Sequence, residues 1–355
     1  MRLLYLIKSF DFGGAENHVK ELANSMSDLG NDVFVVSEKG RQAQLLDSRI
    51  KFISLRLYDA FLPFQIIFLC YIIYRYRIDV IHAHKRLAIL AAAFSGWIMN
   101  RSVVATVHGR PRYDMRSRLS RRLTDRVIFV NNTTYQANCN RRHFRNKSVL
   151  IHNGARKSVN DGLKNHYAML YVCRIDRKHS EVISMIINEV IPQIIRRYPE
   201  VTFEIAGDGE FFNKLKEEAE AMNDKLERRV FIFHGLLDDV FPVVNRSGIV
   251  MGVGRVALEA LSCSVPVISL NRKFMGEMIS RNNFEFYRQN NFVAIGHHEP
   301  DPVILTGILD EYLRDPLFWH NETRELHKIV ENNLSIEKVA AEIFRLYSQA
   351  CLSKN

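Results

Sequence analysis

At 355 residues, 47% hydrophobic and 25% charged, the chain has the length of two ordinary domains and the balance of a globular protein, which excludes a disordered, collagen-like or disulfide-scaffold class. Its five cysteines (Cys70, Cys139, Cys173, Cys263, Cys351) are scattered and show no metal spacing, so free thiols in a reducing cytosol are expected. The net charge is +10, and between Arg110 and Lys147 eleven Lys and Arg face only Asp114 and Asp125. Such a patch calls for an anionic partner: a membrane surface, nucleic acid or an acidic glycan.

Leu3 to Ile7 follows Met1-Arg2 and is too short for a signal peptide; it reads as a first strand. Lys8 to Gly14 is a loop and Ala15 to Leu29 a helix, with Val19, Leu22, Ala23 and Met26 on its apolar face and Gly30 as its stop. Asp32 to Val36 completes a βαβ start, and Ile50 to Leu55 is a third strand. The longest apolar run, Ala60 to Tyr74, is interrupted by Pro63 and Gln65 and falls short of the roughly 20 residues that span a bilayer. A buried or membrane-skimming helix over Leu62 to Arg77 is expected. Strands follow at Val80–His84, Val103–Val107, Val127–Val130 and Ser148–Ile151, with a buried helix over Ala88 to Met99.

A polar stretch from Ala155 to His166, with Ser158, Asn160, Asp161, Gly162 and Asn165, marks the domain boundary. The second half alternates again: strand Ala168–Cys173, helix Glu181–Tyr198, strand Thr202–Ala206, helix Phe211–Met222, strand Val230–Phe233, a short helix over Leu237–Asn245, and a buried strand over Gly248–Met251. A weaker strand is expected at Phe292–Ile295, then helices at Val303–Arg314, Pro316–Asn332 and Ser335–Cys351. Asp315 before Pro316 reads as an N-cap with proline at the first helical position. The fold class is α/β: two Rossmann-like, doubly wound domains facing across a cleft, over residues 1–155 and 156–334, with a C-terminal helix over 335–355 expected to pack back on the first. Ligands in such sheets bind outside the carboxyl ends of the strands.

The candidate residues lie there. Gly252 and Gly254 let the chain turn from the Gly248–Met251 strand into a helix that starts near Arg255. Bare N–H groups at a helix start favour an anion. Arg255 and Glu259 lie four apart and share one helix face, either as a binding pair of cation and carboxylate or as a solvated ion pair. Gly13-Gly14 opens the first helix and permits close backbone approach to a phosphate, or is an ordinary glycine turn. The dinucleotide fingerprint G-x-G-x-x-G is absent, so Glu38 is not read as a ribose acid. His82 and His84 point to one face of their strand and, lacking a third ligand at metal spacing, read as structural.

Met251 to Ile268 resembles the donor-site helix of the family 4 retaining glycosyltransferases, whose signature is Glu, seven residues, Glu, then Ala and a small-residue turn into Pro-Val-Ile. Glu259-Ala260-Leu261 and Val265-Pro266-Val267-Ile268 match; Met251 stands where the first Glu belongs. Gly13-Gly14-Ala15-Glu16 resembles the family's Gly-Gly-x-Glu loop, and Thr106-Val107-His108-Gly109 its Thr-x-His-Gly. Cys173-Arg174-Ile175 with Lys178 resembles its Gly-Arg-Leu…Lys-Gly loop, with His179 at the lysine position. Gly207-Asp208-Gly209-Glu210 and His234-Gly235 fit as well.

The resemblance implies a GT-B fold and a retaining, metal-independent transfer from a nucleotide-sugar donor to a cell-envelope glycan or lipid-linked acceptor. It implies catalytic roles for His108, Arg174 and Lys178, and donor binding by Gly13, Gly14, Gly235, Gly252, Gly254, Arg255 and Glu259, with Glu259 on the ribose. No cofactor and no nucleic-acid partner is expected. The location is cytoplasmic, and the basic segment suits the inner membrane face; Arg118, Arg121, Arg122 and Arg126 recur at helical spacing within it. Two rival readings are a non-catalytic homologue, motivated by Met251, and a nucleotide-sugar epimerase of the same fold.

Overall fold

The computed structural model describes residues 1–11, 13–158 and 164–354. Phe12 of the first loop, and Asn160, Asp161 and Gly162 of the boundary stretch, lie outside the described residues. The chain forms two compact units, Met1–Gly154 with Leu334–Asn355, and Ala155–Asn333.

The first unit is built on a seven-stranded parallel sheet. Its strands are β1 (Arg2–Ser9), β2 (Asp32–Glu38), β3 (Lys51–Ser54), β4 (Val80–His84), β5 (Ser102–Val107), β6 (Arg126–Phe129) and β7 (Ser148–Leu150), in the order β3-β2-β1-β4-β5-β6-β7. Side chains alternate along β1. Leu3, Tyr5 and Ile7 join Val19, Leu22 and Met26 of the helix Gly14–Asp28 on one face. Leu4 and Leu6 join Leu69, Ile72 and Ala92 on the other. The C-terminal helix Ile336–Leu352 contributes Val339, Ile343, Leu346 and Tyr347 to the first cluster. Ser335 caps that helix through the Lys338 N–H.

The second unit carries β8 (Asn165–Val172), β9 (Thr202–Ala206), β10 (Phe231–Gly235), β11 (Ser247–Gly252), β12 (Val267–Leu270) and β13 (Met275–Met278), in the order β10-β9-β8-β11-β12-β13. All neighbours are parallel except β12 and β13. Strand order reverses between β1 and β4 in the first sheet and between β8 and β11 in the second. These are the switch points at which open α/β sheets leave a crevice beyond the strand ends.

Some expected elements differ. Phe292–Ile295 is not a strand: Asn291 and Phe292 take φ of 52° and 56°, which break an extended run, and the last strand of the sheet is the antiparallel β13 instead. The helix expected over Leu237–Asn245 begins only at Phe241, where Pro242 sits in its first turn. The helix expected over Glu181–Tyr198 starts at Arg177, passes through a π-helical turn at Ile186–Val190 and ends at Ile194. Pro192, which offers no N–H to the ladder, accompanies that turn. Among the basic residues, Arg126 is not on the helix with Arg118, Arg121 and Arg122. That helix, Met115–Leu123, stops at Thr124, and Arg126 begins β6. Phe318 N–H donates to Asp315 Oδ1 at 2.9 Å, so Asp315 caps the helix Pro316–Leu334.

Candidate functional site

In the first unit the crevice lies at the ends of β1 and β4. Gly13 precedes the helix Gly14–Asp28, and the Glu16 carboxylate folds back over it: a Cβ on Gly13 would stand 2.5 Å from Glu16 Oε2. Lys85, in the turn after β4, closes an ion pair on Glu16. A carboxylate at a helix N-terminus is favourable for the same reason a phosphate is. The approach that Gly13-Gly14 was expected to leave for a phosphate is therefore taken by the protein's own anion.

Beside this pair stands a group of four histidines. His82 and His84 project from one face of β4, their rings 4.3 Å apart. His84 Nδ1 lies 3.1 Å from His108 Nε2 just beyond β5. His18, one turn into the first helix, sets its ring 5.6 Å from His84 and 5.3 Å from His108. Parallel register explains the meeting: His84 pairs with Thr106, and His108 follows two residues later on the same face.

His82 is structural, as its strand position suggested. Its Nδ1 meets Tyr347 Oη at 2.5 Å and its Nε2 meets Thr106 Oγ1 at 2.7 Å, both buried. His84 differs in that one of its ring nitrogens meets His108. Burial, followed by His108, lowers the His82 pKa to about 3. Burial also holds His84 well below its ordinary value, with His82, His108, His18 and Lys85 adding to the effect. Both are neutral at physiological pH. Among the described residues no group of three or more His, Cys, Asp or Glu is placed to hold a metal ion.

In the second unit Tyr171 of β8 pairs with Met251 of β11, so the Arg174 loop and the Gly252–Gly254 loop leave adjacent strand ends. Arg174 and Lys178 are exposed. Asp176 caps the helix that carries Lys178, accepting from the His179 N–H at 3.1 Å and from Arg272 at 2.7 Å. The His179 ring also meets Asp176, at 3.0 Å, which ties it down at the family's lysine position and leaves Lys178 as the open cation.

The Arg174 loop is stitched to the next: Ile175 N–H donates to Asp208 O at 3.0 Å and Cys173 N–H to Ala206 O at 3.1 Å. Gly207, at φ 147°, allows this crossing, since a Cβ there would lie 1.9 Å from Cys173 O. Gly235 takes φ 68° and accepts from Gly207 N–H at 2.9 Å. Sequence reasoning missed the group that holds this corner: buried Glu204 accepts from Arg246 at 2.9 Å and meets His234 Nε2 at 2.5 Å. The signal available was a lone Glu in the middle of an apolar strand.

Gly254, at φ 61°, is the N-cap of the helix Arg255–Ser262, and Gly252 is crowded by Val256, 2.6 Å from where its Cβ would be. One expectation is corrected here. Arg255 and Glu259 are not a solvated pair: Arg255 Nη2 donates to Glu259 Oε1 at 2.8 Å with side chains 7% and 5% exposed. The helix is buried on every side, through Ala257, Leu258, Ala260 and Leu261, so its shared polar face also turns inward. Met251 is fully buried in the core with Tyr171 and Ile268, because it lies within β11 and not beyond it.

Residues 12–158 match the family model of Glycosyltransferase Family 4, and residues 166–296 that of Glycosyl transferases group 1. The chain belongs to this glycosyltransferase family. The transferase is 24% identical over 372 residues to the phosphatidylinositol N-acetylglucosaminyltransferase gpi3 subunit of Schizosaccharomyces pombe, covering 97% of this chain and 79% of that protein. Its fold is similar to that of a glycosyltransferase from Rickettsia africae ESF-5 (TM-score 0.74, 15% identity, 98% of each chain). It is also similar to that of Anabaena Alr3699/HepE, solved in complex with UDP-glucose (TM-score 0.71, 18% identity, 98% of this chain and 100% of that one). The architecture is that of the GT-B glycosyltransferases.

Proposed function

We propose that this glycosyltransferase moves a sugar from a nucleotide-sugar donor to a lipid-linked or cell-envelope glycan acceptor, with retention at the sugar carbon and without a bound metal. The observation that carries the donor half is Arg174. It stands exposed at the switch point of the second sheet, with Lys178 on the following helix and the Gly252–Gly254 helix start at the adjacent strand end. As the sugar–phosphate bond breaks, charge builds on the leaving nucleoside diphosphate. A guanidinium, an ammonium and helix N–H groups meet it most strongly in the transition state. Gly235 and Gly207 shape the same corner with backbone alone. Glu259 has a second carboxylate oxygen for the ribose while Oε1 accepts from Arg255. In the first unit His108 is the candidate catalytic group, and Gly13-Gly14 carries the Glu16–Lys85 pair beside it.

The membrane half of the reading rests on one helix. Leu62–Arg75 has no acidic residue, and Phe64, Ile67, Phe68, Tyr71 and Tyr74 are exposed along it, with Phe61 just before. No helix among the described residues is long and apolar enough to cross a membrane. An apolar stripe of this kind, in a unit whose Arg110, Arg112, Arg118 and Arg122 are exposed, suits an anionic lipid surface.

Turnover of a panel of UDP- and GDP-sugars, with and without lipid and glycan acceptors, tests the reading. Wild type is expected to transfer from at least one donor. Arg174→Ala is expected to lower kcat about 100-fold while thermal stabilisation by the nucleoside diphosphate changes little. Inertness across the panel would favour the non-catalytic homologue, and donor epimerised without acceptor would favour the epimerase.

A further inference from the structure

A cavity of about 290 Å³ opens beside His108 in the first unit. Lys85, Arg86, Arg110, Arg112 and Arg121 line it, and no carboxylate does. Two of these cations are already answered from outside the cavity, Lys85 by Glu16 and Arg86 by Asp114 at 3.0 Å. Arg110 and Arg112 are exposed. Arg121 is the exception to every rule for a surface arginine: it is 7% exposed and makes no ion pair among the described residues. Its Nη1 donates to Arg112 O at 2.7 Å, while Nε and Nη2 are buried without a hydrogen-bond partner. Its guanidinium is held over the rings of Phe144, at 5.0 Å, and Tyr113, at 5.2 Å.

A buried guanidinium with two unpartnered donors is an unfinished interaction. We propose that this cavity binds the phosphate group of the acceptor, with Arg121 as its anchor. This rests on the reading of the protein as a transferase and names the class of acceptor: one that carries a phosphate. The planar donors of a guanidinium match two oxygens of a phosphate. The three cations that make no ion pair among the described residues, Arg110, Arg112 and Arg121, suit a group that carries close to two negative charges better than a carboxylate, which carries one. The ring stack fixes the guanidinium in place before the ligand arrives, so little is lost in ordering it. The phosphate can belong to a lipid or to a soluble sugar phosphate; both present the same terminal group.

Three probes on the full-length protein separate these sources: inorganic phosphate, glucose 6-phosphate and short-chain dihexanoyl phosphatidic acid, each followed by calorimetric titration. At least one phosphate-bearing probe is expected to bind wild type. Arg121→Gln is expected to weaken that binding tenfold or more, and Arg121→Lys to restore part of it. Preference for phosphatidic acid assigns the lipid source, and preference for glucose 6-phosphate the sugar source. Stabilisation by UDP, read on the same samples, reports the donor reading separately and is expected to be unchanged in the variants. Should Arg121→Gln fold poorly, Arg112→Gln, at an exposed position, is expected to weaken the same probe several-fold at an unchanged melting temperature. The proposal is overturned if no phosphate-bearing probe binds wild type, or if binding survives unchanged in a folded Arg121→Gln; Arg121 is then only a brace between two aromatic rings.

Discussion

In the first unit the chain leaves β1 and enters a helix through Gly13; in the second it leaves β11 and enters a helix through Gly252 and Gly254. Each turn is followed by a glutamate, Glu16 or Glu259, and each glutamate is paired with a cation. The pairs differ in where they stand. Glu16 curls back over its own glycine and takes the anion position at the helix start, with a lysine that is 41% exposed. Glu259 sits a turn deeper and faces Arg255, which is 7% exposed, so that anion position is left to other groups. One helix start carries its own anion; at the other the acid lies a turn deeper and is paired with a buried guanidinium.

The largest effect is expected at Met251, the residue just before the second glycine turn. Met251→Glu places a carboxylate in a fully buried strand position with no polar partner, a change of the class that costs about 4 kcal/mol or more. The second unit is expected to lose cooperative unfolding in urea, while Met251→Leu, which conserves volume, costs under about 1.5 kcal/mol. A Met251→Glu protein that melts like wild type and binds UDP more tightly would show that this position faces the donor after all, and would erase the distinction between core and crevice drawn here.

The contrast between the two pairs is measurable directly. Glu259→Ala leaves Arg255 charged and buried, which is expected to cost about 3 kcal/mol. Glu16→Ala leaves Lys85 able to turn into water and is expected to cost about 1 kcal/mol. Urea midpoints of the two variants test this ordering. Equal losses would mean that exposure of the cation does not decide the matter.

Much of this was legible in the chain. Apolar runs placed β1, β4, β5, β9 and β11, and glycines, His108 and Arg174 fell at strand ends because a doubly wound sheet puts its loops there. What was not legible is direction. A spacing of four tells that Arg255 and Glu259 share a helix face, not which way the face turns. The warning was in their neighbours, since Val256, Ala257, Leu258, Ala260 and Leu261 leave no polar side to show to water. The meeting of His18, His84 and His108 depends on strand register and on the first helix lying over the strand ends, and no local spacing carries that. Arg121 was read with the exposed cations at helical spacing, but the same helix turns it inward onto Phe144, a residue 23 positions later in the chain.

An effect as small as that of Glu16→Ala concerns protons. His82 lies fully buried between β1, β5 and the C-terminal helix, facing Tyr5, Tyr347, Thr106, His84 and His108. Its pKa in the folded protein is lowered to about 3 from an ordinary value of 6.5. The unfolded chain therefore binds a proton between those two values that the folded protein does not. Stability from this group is fully present above pH 6.5 and is lost as pH falls from there toward 3. Between pH 7.5 and 5.5 the loss is about 1 kcal/mol. His84 beside it, and His320 in the second unit, lowered to about 4 by burial and by His166, shift in the same direction, so wild type alone cannot assign the effect. His82→Asn isolates the share of His82. It keeps a polar side chain beside Tyr347 and removes the titration, so its stability is expected to fall by about 1 kcal/mol less than wild type over the same interval. Urea unfolding at the two pH values, followed by a probe on the C-terminal helix, reads that difference. Identical pH dependence in the two proteins would show that the His82 pKa is not lowered in the folded protein.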